Sequence, residues 1–329
     1  MFARRLPLPS RPTHRFRTGL LVCVWLVALV TASAKSLRVF VIGNSFSGNA
    51  TRYLPELAKA GGHELVLGKA QAGGCSFARH WDALAADLAS PGDPKGKIYA
   101  EGKSLREHMG EGRWDIITTQ QYSRLSGDPA SYRPFAAQLY AYLKKVQPDA
   151  EIVLHQTWAY RSDAKSFGEI GDKKQAANSE EMWRRSRAAY HQIAREQNVR
   201  VIPTGDAFWR VATDPTWTYV PDTTFDYQNP VTPQLPVQKN SLHVGYRWGK
   251  DGKFGIDPNH ANPAGEYLGA LVWYGFLFDE TPEKLTFVPD GIDPVFAAFL
   301  RKTAWDVVHQ AKAEKPTVAD VSSQASVLP

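Results

Sequence analysis

Apolar and polar positions fall into a repeating block pattern along this chain. Leu37-Arg-Val-Phe-Val-Ile42 is a β-branched apolar run of strand length, and the polar stretch that follows it, 43–49, leads into a helical pattern at 53–60. Short apolar runs recur at 64–67, 114–118, 152–156 and 199–203, each with a helical segment after it. The segment 134–146 puts Phe135, Leu139, Leu143 and Val146 on one face, and 179–196 does the same with Met182, Ser186, Ala189, Tyr190 and Ile193. Five strands alternating with helices predict an α/β fold. Parallel strands need long crossovers, which cover both faces of the sheet with helices.

The pattern breaks from 211 to 256. That stretch holds Pro215, Pro221, Pro230, Pro233 and Pro236 among Trp217, Tyr219, Phe225, Tyr227, Tyr246, Trp248 and Phe254. A long irregular segment inside a domain is usually functional. The Asp251-Gly252 turn signal predicts a hairpin within it. An apolar helix at 267–278 follows, and the polar residues 313–329 read as a flexible tail.

The start of the chain is different in kind. Arg4, Arg5, Arg11, Arg15 and Arg17 precede an apolar run at 20–30, and Ala32-Ser33-Ala34 comes next, so residues 1–34 read as a secretory signal peptide. Its apolar run is shorter than the roughly 20 residues a membrane-spanning helix needs. The expected mature protein, 35–312 plus the tail, is exported to the periplasm or beyond, with no membrane attachment after cleavage near Ala34.

This leader changes the meaning of the net charge of +6. Removing its five arginines leaves 34 basic and 33 acidic residues from Lys35 onward, so no electrostatic footprint for nucleic acid remains. Cys23 falls in the leader and leaves Cys75 alone, which excludes an intrachain disulfide and a thiolate zinc site. The nine histidines have no metal-ligand spacing, and no cofactor is expected.

Candidate chemistry begins at Gly43-Asn44-Ser45-Phe46-Ser47, directly after the first strand, where a parallel sheet binds its ligands. Ser45 there is a candidate nucleophile. A serine needs a base, and Asp257-Pro258-Asn259-His260 lies before Asn262-Pro263, an N-cap and first helical residue. Asp257 and His260 are expected in a turn, where the carboxylate can hold one imidazole nitrogen and present the other to a serine. Gly73-Gly74-Cys75-Ser76 offers backbone N–H groups for an oxyanion, and Gln120-Gln121 ends the third strand with amide donors. His80, His155 and His243 are alternative bases without an aspartate at that spacing, and Cys75 is an alternative nucleophile.

Together these segments resemble the SGNH (GDSL-like) hydrolase superfamily, in a bacterial branch with G-N-S-F-S at 43–47, G-G-C-S at 73–76, W-D-I-I-x-x-Q-Q at 114–121, T-W-A-Y at 157–160 and D-x-x-H at 257–260. The resemblance implies a three-layer α/β/α, flavodoxin-like fold with a five-stranded parallel sheet. It also implies a Ser45–His260–Asp257 triad, with oxyanion donors at Ser45 N–H, Gly74 N–H and a side-chain amide. The superfamily usually has asparagine at the third donor, whereas this chain has Gln120, with Gln121 as the alternative.

The expected activity is hydrolysis of O-acyl, chiefly acetyl, esters on carbohydrate, with Trp158, Trp217, Tyr219, Tyr246 and Trp248 binding the glycan. Lipid, aryl-ester or thioester hydrolysis and a non-catalytic glycan-binding role are the rival readings.

Overall fold

The structure, a computed structural model, describes residues 1–2, 34–100 and 102–313. The leader and the tail read from the sequence lie outside the described residues, apart from 1–2, 34 and 313. In chain order the elements are β1 (Ser36–Gly43), α1 (Ser45–Ala50), α2 (Leu54–Ala60), β2 (Glu64–Gln71), α3 (Phe77–Ala89), α4 (Leu105–Met109), β3 (Ile116–Thr119), α5 (Phe135–Val146), β4 (Glu151–His155) and α6 (Ser179–Gln197). Then come β5 (Arg200–Ile202), α7 (Thr204–Ala212), β6 (His243–Trp248), β7 (Phe254–Ala261), α8 (Pro263–Phe278) and α9 (Pro294–Ala313).

Strands β1 to β5 form a parallel sheet in the order β2-β1-β3-β4-β5. The apolar run of β1 shows why it is central. Val39 and Val41 join a core with Phe46 and Ala50 of α1, Leu57 of α2, Phe208 of α7, Leu271 of α8 and Leu300 of α9. Phe40 and Ile42 point the other way, into a core with Phe77 and Leu84 of α3, Leu139 and Leu143 of α5, and Tyr190 and Ile193 of α6. Successive residues of a strand face opposite sides, so one continuous apolar run serves two cores. The result is the three-layer α/β/α fold with flavodoxin-like strand order.

This order also fixes where a ligand can sit. After β1 the chain pairs β2 on one side and β3 on the other, and a crevice opens beyond the carboxyl ends of β1 and β3. Ser45 follows the end of β1, and Gln120 follows the end of β3.

The irregular segment contributes the antiparallel hairpin β6–β7, turning through 249–253 around Gly252, whose φ is +74°. Asp257 and His260 lie on β7, not in a free turn as the sequence predicts. Their pairing is irregular: Asp257 faces Gly245 and Ala261 faces His243, so residues 258–260 together oppose only Val244. In a straight strand, residues three apart point to opposite faces. The bulge removes that constraint and lets the two side chains meet. Opposite it, Gly245 has φ +67°, and a Cβ there would come within 2.0 Å of Gln238 Oε1 and 2.1 Å of Arg161 Nη1.

Helix α8 is apolar on every side and buried from Tyr267 to Phe278. It presses on α1 through Gly269, where a Cβ would lie 2.8 Å from the Ala50 Cα. Glycine inside a helix costs about 1 kcal/mol relative to alanine, so its presence here serves the close approach. Gly269→Val should therefore destabilise the protein by about 1–3 kcal/mol through overpacking, read as a lower urea midpoint. An unchanged midpoint would mean that α1 is not held by this contact.

Candidate active site

Ser45 is the first residue of α1, and its exposure is intermediate. Its Oγ lies 2.9 Å from His260 Nε2, and His260 Nδ1 lies 3.0 and 3.1 Å from the two Asp257 carboxylate oxygens. Asp257 Oδ1 also accepts the His260 backbone N–H at 3.1 Å. Burial alone would push the Asp257 carboxyl up, but these hydrogen bonds from the His260 ring and backbone outweigh it and bring the group down to about 2. An ionised carboxylate only accepts, so Nδ1 carries the imidazole proton and Nε2 turns a lone pair towards Ser45 Oγ. Against an ordinary value of 3.8, the stabilisation linked to this ionisation is complete above the ordinary value and is lost as pH falls towards 2.

The loop before Ser45 is held by a chain of amides. Asn44 caps α1, its Oδ1 accepting the Phe46 N–H at 3.0 Å, while its Nδ2 donates to the Cys75 carbonyl at 3.0 Å. Because Asn44 Oδ1 is thereby fixed as an acceptor, the Gln120 atom 2.6 Å from it must be Nε2. Gln120 Oε1 then faces His155 Nδ1 at 3.0 Å, so that nitrogen carries the proton. Burial lowers the His155 ring to about 3 and keeps it neutral. One network thus ties together the loops after β1, β2 and β3 and the end of β4.

Gly74 has φ +58°, in the left-handed region that favours glycine, and the Tyr122 ring lies 3.7 Å from where its Cβ would be. The first N–H groups of a helix have no intrahelical acceptor, which leaves the Ser45 N–H at the start of α1 open to a ligand.

The chain matches the family model described as a domain of unknown function, DUF4886, over residues 38–307. The chain belongs to the DUF4886 family. The match spans the loop of Ser45 and the hairpin of Asp257 and His260. A DUF4886 protein from Bacteroides uniformis has the same fold: 23% identity and a TM-score of 0.62, covering 87% of this chain and 99% of that one. More distant is a candidate SGNH hydrolase from Slackia heliotrinireducens, 20% identical with a TM-score of 0.44 over 72% of this chain and 97% of that one. No curated protein matches the chain significantly.

The aromatic residues expected to bind substrate in this DUF4886 protein are engaged with other protein groups. Trp158 is buried, stacked at 4.4 Å between Phe46 and Phe208, and its indole N–H donates to the Asn259 carbonyl at 2.9 Å; it backs the Asp257–His260 segment and cannot meet substrate. Trp217 stacks on Phe296 and Phe299 of α9 at 5.0 and 5.6 Å. Tyr219 covers the Arg161 guanidinium at 4.1 Å and donates its O–H to Asp163. Tyr246 stacks on Phe254 at 5.3 Å, and Trp248 packs on the same ring at 5.2 Å while donating to the Gln234 carbonyl. Tyr246 and Trp248 thus pack within the insertion, while Trp217 and Tyr219 fasten it to α9 and to Arg161.

Gln121 is also excluded as an oxyanion donor. Its Oε1 accepts from the Phe77 and Tyr122 N–H groups, and its Nε2 donates to the Ser131 carbonyl and hydroxyl, which uses its whole capacity. The alternative bases are buried and hold other partners. Burial lowers His80 to about 3 and His243 to about 4, with His80 on Tyr99 and His243 on the Ala159 carbonyl.

Asn44, Tyr122, Arg79 and Arg247 border the site without having been assigned a task from the sequence. The only available signal was adjacency for three of them: Asn44 precedes Ser45, Tyr122 follows Gln121, and Arg79 follows the glycine pair.

Burial pushes the Cys75 thiol up to about 12, so it holds its proton and is a poor nucleophile. Iodoacetamide at pH 8 should leave Cys75 unmodified in the folded protein and alkylate it in urea, as read by intact mass. Rapid alkylation of the folded protein would contradict this.

Proposed function

We propose that this protein is a serine ester hydrolase in which Ser45 is the nucleophile, His260 the general base and Asp257 the group that orients and stabilises the imidazole. The observation that carries the reading is the continuous hydrogen-bond line from Ser45 Oγ through His260 to the Asp257 carboxylate, at 2.9 and 3.0 Å. His260 Nε2 takes the hydroxyl proton as Ser45 Oγ attacks the ester carbonyl. The Ser45 and Gly74 N–H groups donate to the oxyanion of the tetrahedral intermediate. Collapse expels the alcohol, which receives the proton from His260, and water then cleaves the acyl-enzyme by the same sequence.

Gln120 serves this chemistry by position. One of its Nε2 hydrogens is committed to Asn44, and its Oε1 to His155, so it fixes the loop from which the Ser45 N–H points. Its second Nε2 hydrogen is the third oxyanion donor in this reading.

In the finer form of the proposal the scissile group is an O-acyl group, an acetyl, on a carbohydrate, acted on outside the cytoplasm. What supports this is the resemblance of the motifs and the leader sequence; the insertion aromatics, engaged with other protein groups, add nothing to it. No helix among the described residues is long and apolar enough to cross a membrane.

Ser45→Ala and His260→Ala should each lower kcat/KM on a nitrophenyl acetate by at least about 1,000-fold, with the unfolding free energy of Ser45→Ala within about 0.5 kcal/mol of the parent and His260→Ala still folded by circular dichroism. Purified wild-type protein tested against acetylated glycans, lipid esters and thioesters would identify the alcohol. Wild-type activity retained in either variant would remove the triad from the mechanism.

A further inference from the structure

Two exposed arginines, one at the glycine pair of the candidate oxyanion site and one next to Asp257, have no part in the esterase reading above. Arg79, in the first turn of α3, donates from Nη1 to the Gly73 carbonyl at 2.8 Å. That bond anchors the guanidinium at the Gly73-Gly74 pair. The next residue, Cys75, gives its carbonyl to Asn44, the neighbour of Ser45. Among the described residues no carboxylate pairs with Arg79. Its positive charge is felt at this loop, where it opposes the rise of the Cys75 thiol.

Arg247 comes from β6, and its Nη2 is 4.0 Å from Asp257 Oδ2, at the outer limit of an ion pair. The acids around the site are engaged elsewhere. Asp257 is held by His260 at 3.0 Å, and Glu266 takes the Asn49 amide at 2.9 Å and Arg52 at 3.2 Å. Arg161, by contrast, is neutralised by both oxygens of Asp163 and is buried. Arg79, without a carboxylate partner among the described residues, and Arg247, only loosely paired, are two cations available to a ligand, one anchored at the Gly73-Gly74 pair and the other next to Asp257. Arg79 keeps Nε and Nη2, the edge of a guanidinium that a carboxylate takes with two parallel hydrogen bonds.

We infer that Arg79, with Arg247 as a second cation, selects esters that carry a carboxylate close to the scissile bond, of which an O-acyl group on an acidic sugar is one form. The inference rests on the esterase reading and names the charge of its substrate. A guanidinium held in place by a backbone carbonyl offers this recognition with little side-chain freedom left to lose.

The test uses a matched pair, 3-acetoxybenzoate and methyl 3-acetoxybenzoate, with acetate release as the readout. Wild-type protein should favour the carboxylate by about tenfold or more in kcat/KM, which corresponds to one charge-assisted hydrogen-bonded contact. Arg79→Gln and Arg247→Gln should each lower the ratio of the two kcat/KM values, and Arg79→Lys should recover part of it. Raising the salt should lower the rate on the carboxylate more than on its methyl ester. A wild-type ratio near one, or a ratio that survives both glutamine substitutions, overturns the inference and leaves the esterase reading intact.

Binding of 3-hydroxybenzoate to Ser45→Ala protein, measured by calorimetry, separates the two ideas if neither ester is cleaved. Affinity that falls about tenfold on adding Arg79→Gln supports the carboxylate site without the esterase. Absent binding, or binding indifferent to Arg79, overturns the site as well.

Discussion

The geometry of this protein depends on the Asn44 side chain. Three hydrogen bonds converge on one amide: to the Phe46 N–H at the start of α1, to the Cys75 carbonyl after β2, and to the Gln120 amide after β3. His155 at the end of β4 extends the network by one bond. Buried polar groups are costly unless fully paired, so this arrangement allows essentially one relative placement of the strand ends. Ser45 inherits its position from that placement. The imidazole that faces it is delivered separately, by the bulged hairpin and α8.

The two halves of the site are thus fixed by different physics. The Ser45 side is a polar network on top of a two-faced apolar sheet. The His260 side is held from behind by rings: Phe208 on Trp158 on Phe46, with the Trp158 N–H on the Asn259 carbonyl. Phe46 belongs to both sides, since it follows Ser45 in α1 and its ring centre lies 6.2 Å from that of His260. Tryptophan in a T-W-A-Y segment accordingly reads as support for the Asp257–His260 segment.

Much of this was legible in the sequence, for identifiable reasons. Runs such as 37–42 and 152–156 are too apolar for a one-sided strand and have the length of one, so a parallel sheet covered on both faces followed. The Asp251-Gly252 hairpin and the Asn262-Pro263 helix start are local effects and were readable too. The bulge at 258–260 was not, because a D-x-x-H spacing fits a turn equally well and the register shift depends on pairing with β6. Nor could two adjacent glutamines be told apart: only the direction in which the chain leaves β3 decides that Gln120 reaches Asn44 while Gln121 reaches Ser131. The packing of the insertion aromatics on one another, on α9 and on Arg161 is a tertiary matter, invisible in composition.

In the proposed chemistry His260, oriented by Asp257, activates the Ser45 hydroxyl. Reaction with a fluorophosphonate probe followed by peptide mass spectrometry tests it most directly, because the probe needs only an activated serine and no knowledge of the natural ester. A single adduct on Ser45 is expected, formed far more slowly in the His260→Ala and Asp257→Asn proteins. An adduct on another residue, or labelling of Ser45 at the same rate in both variants, would contradict it.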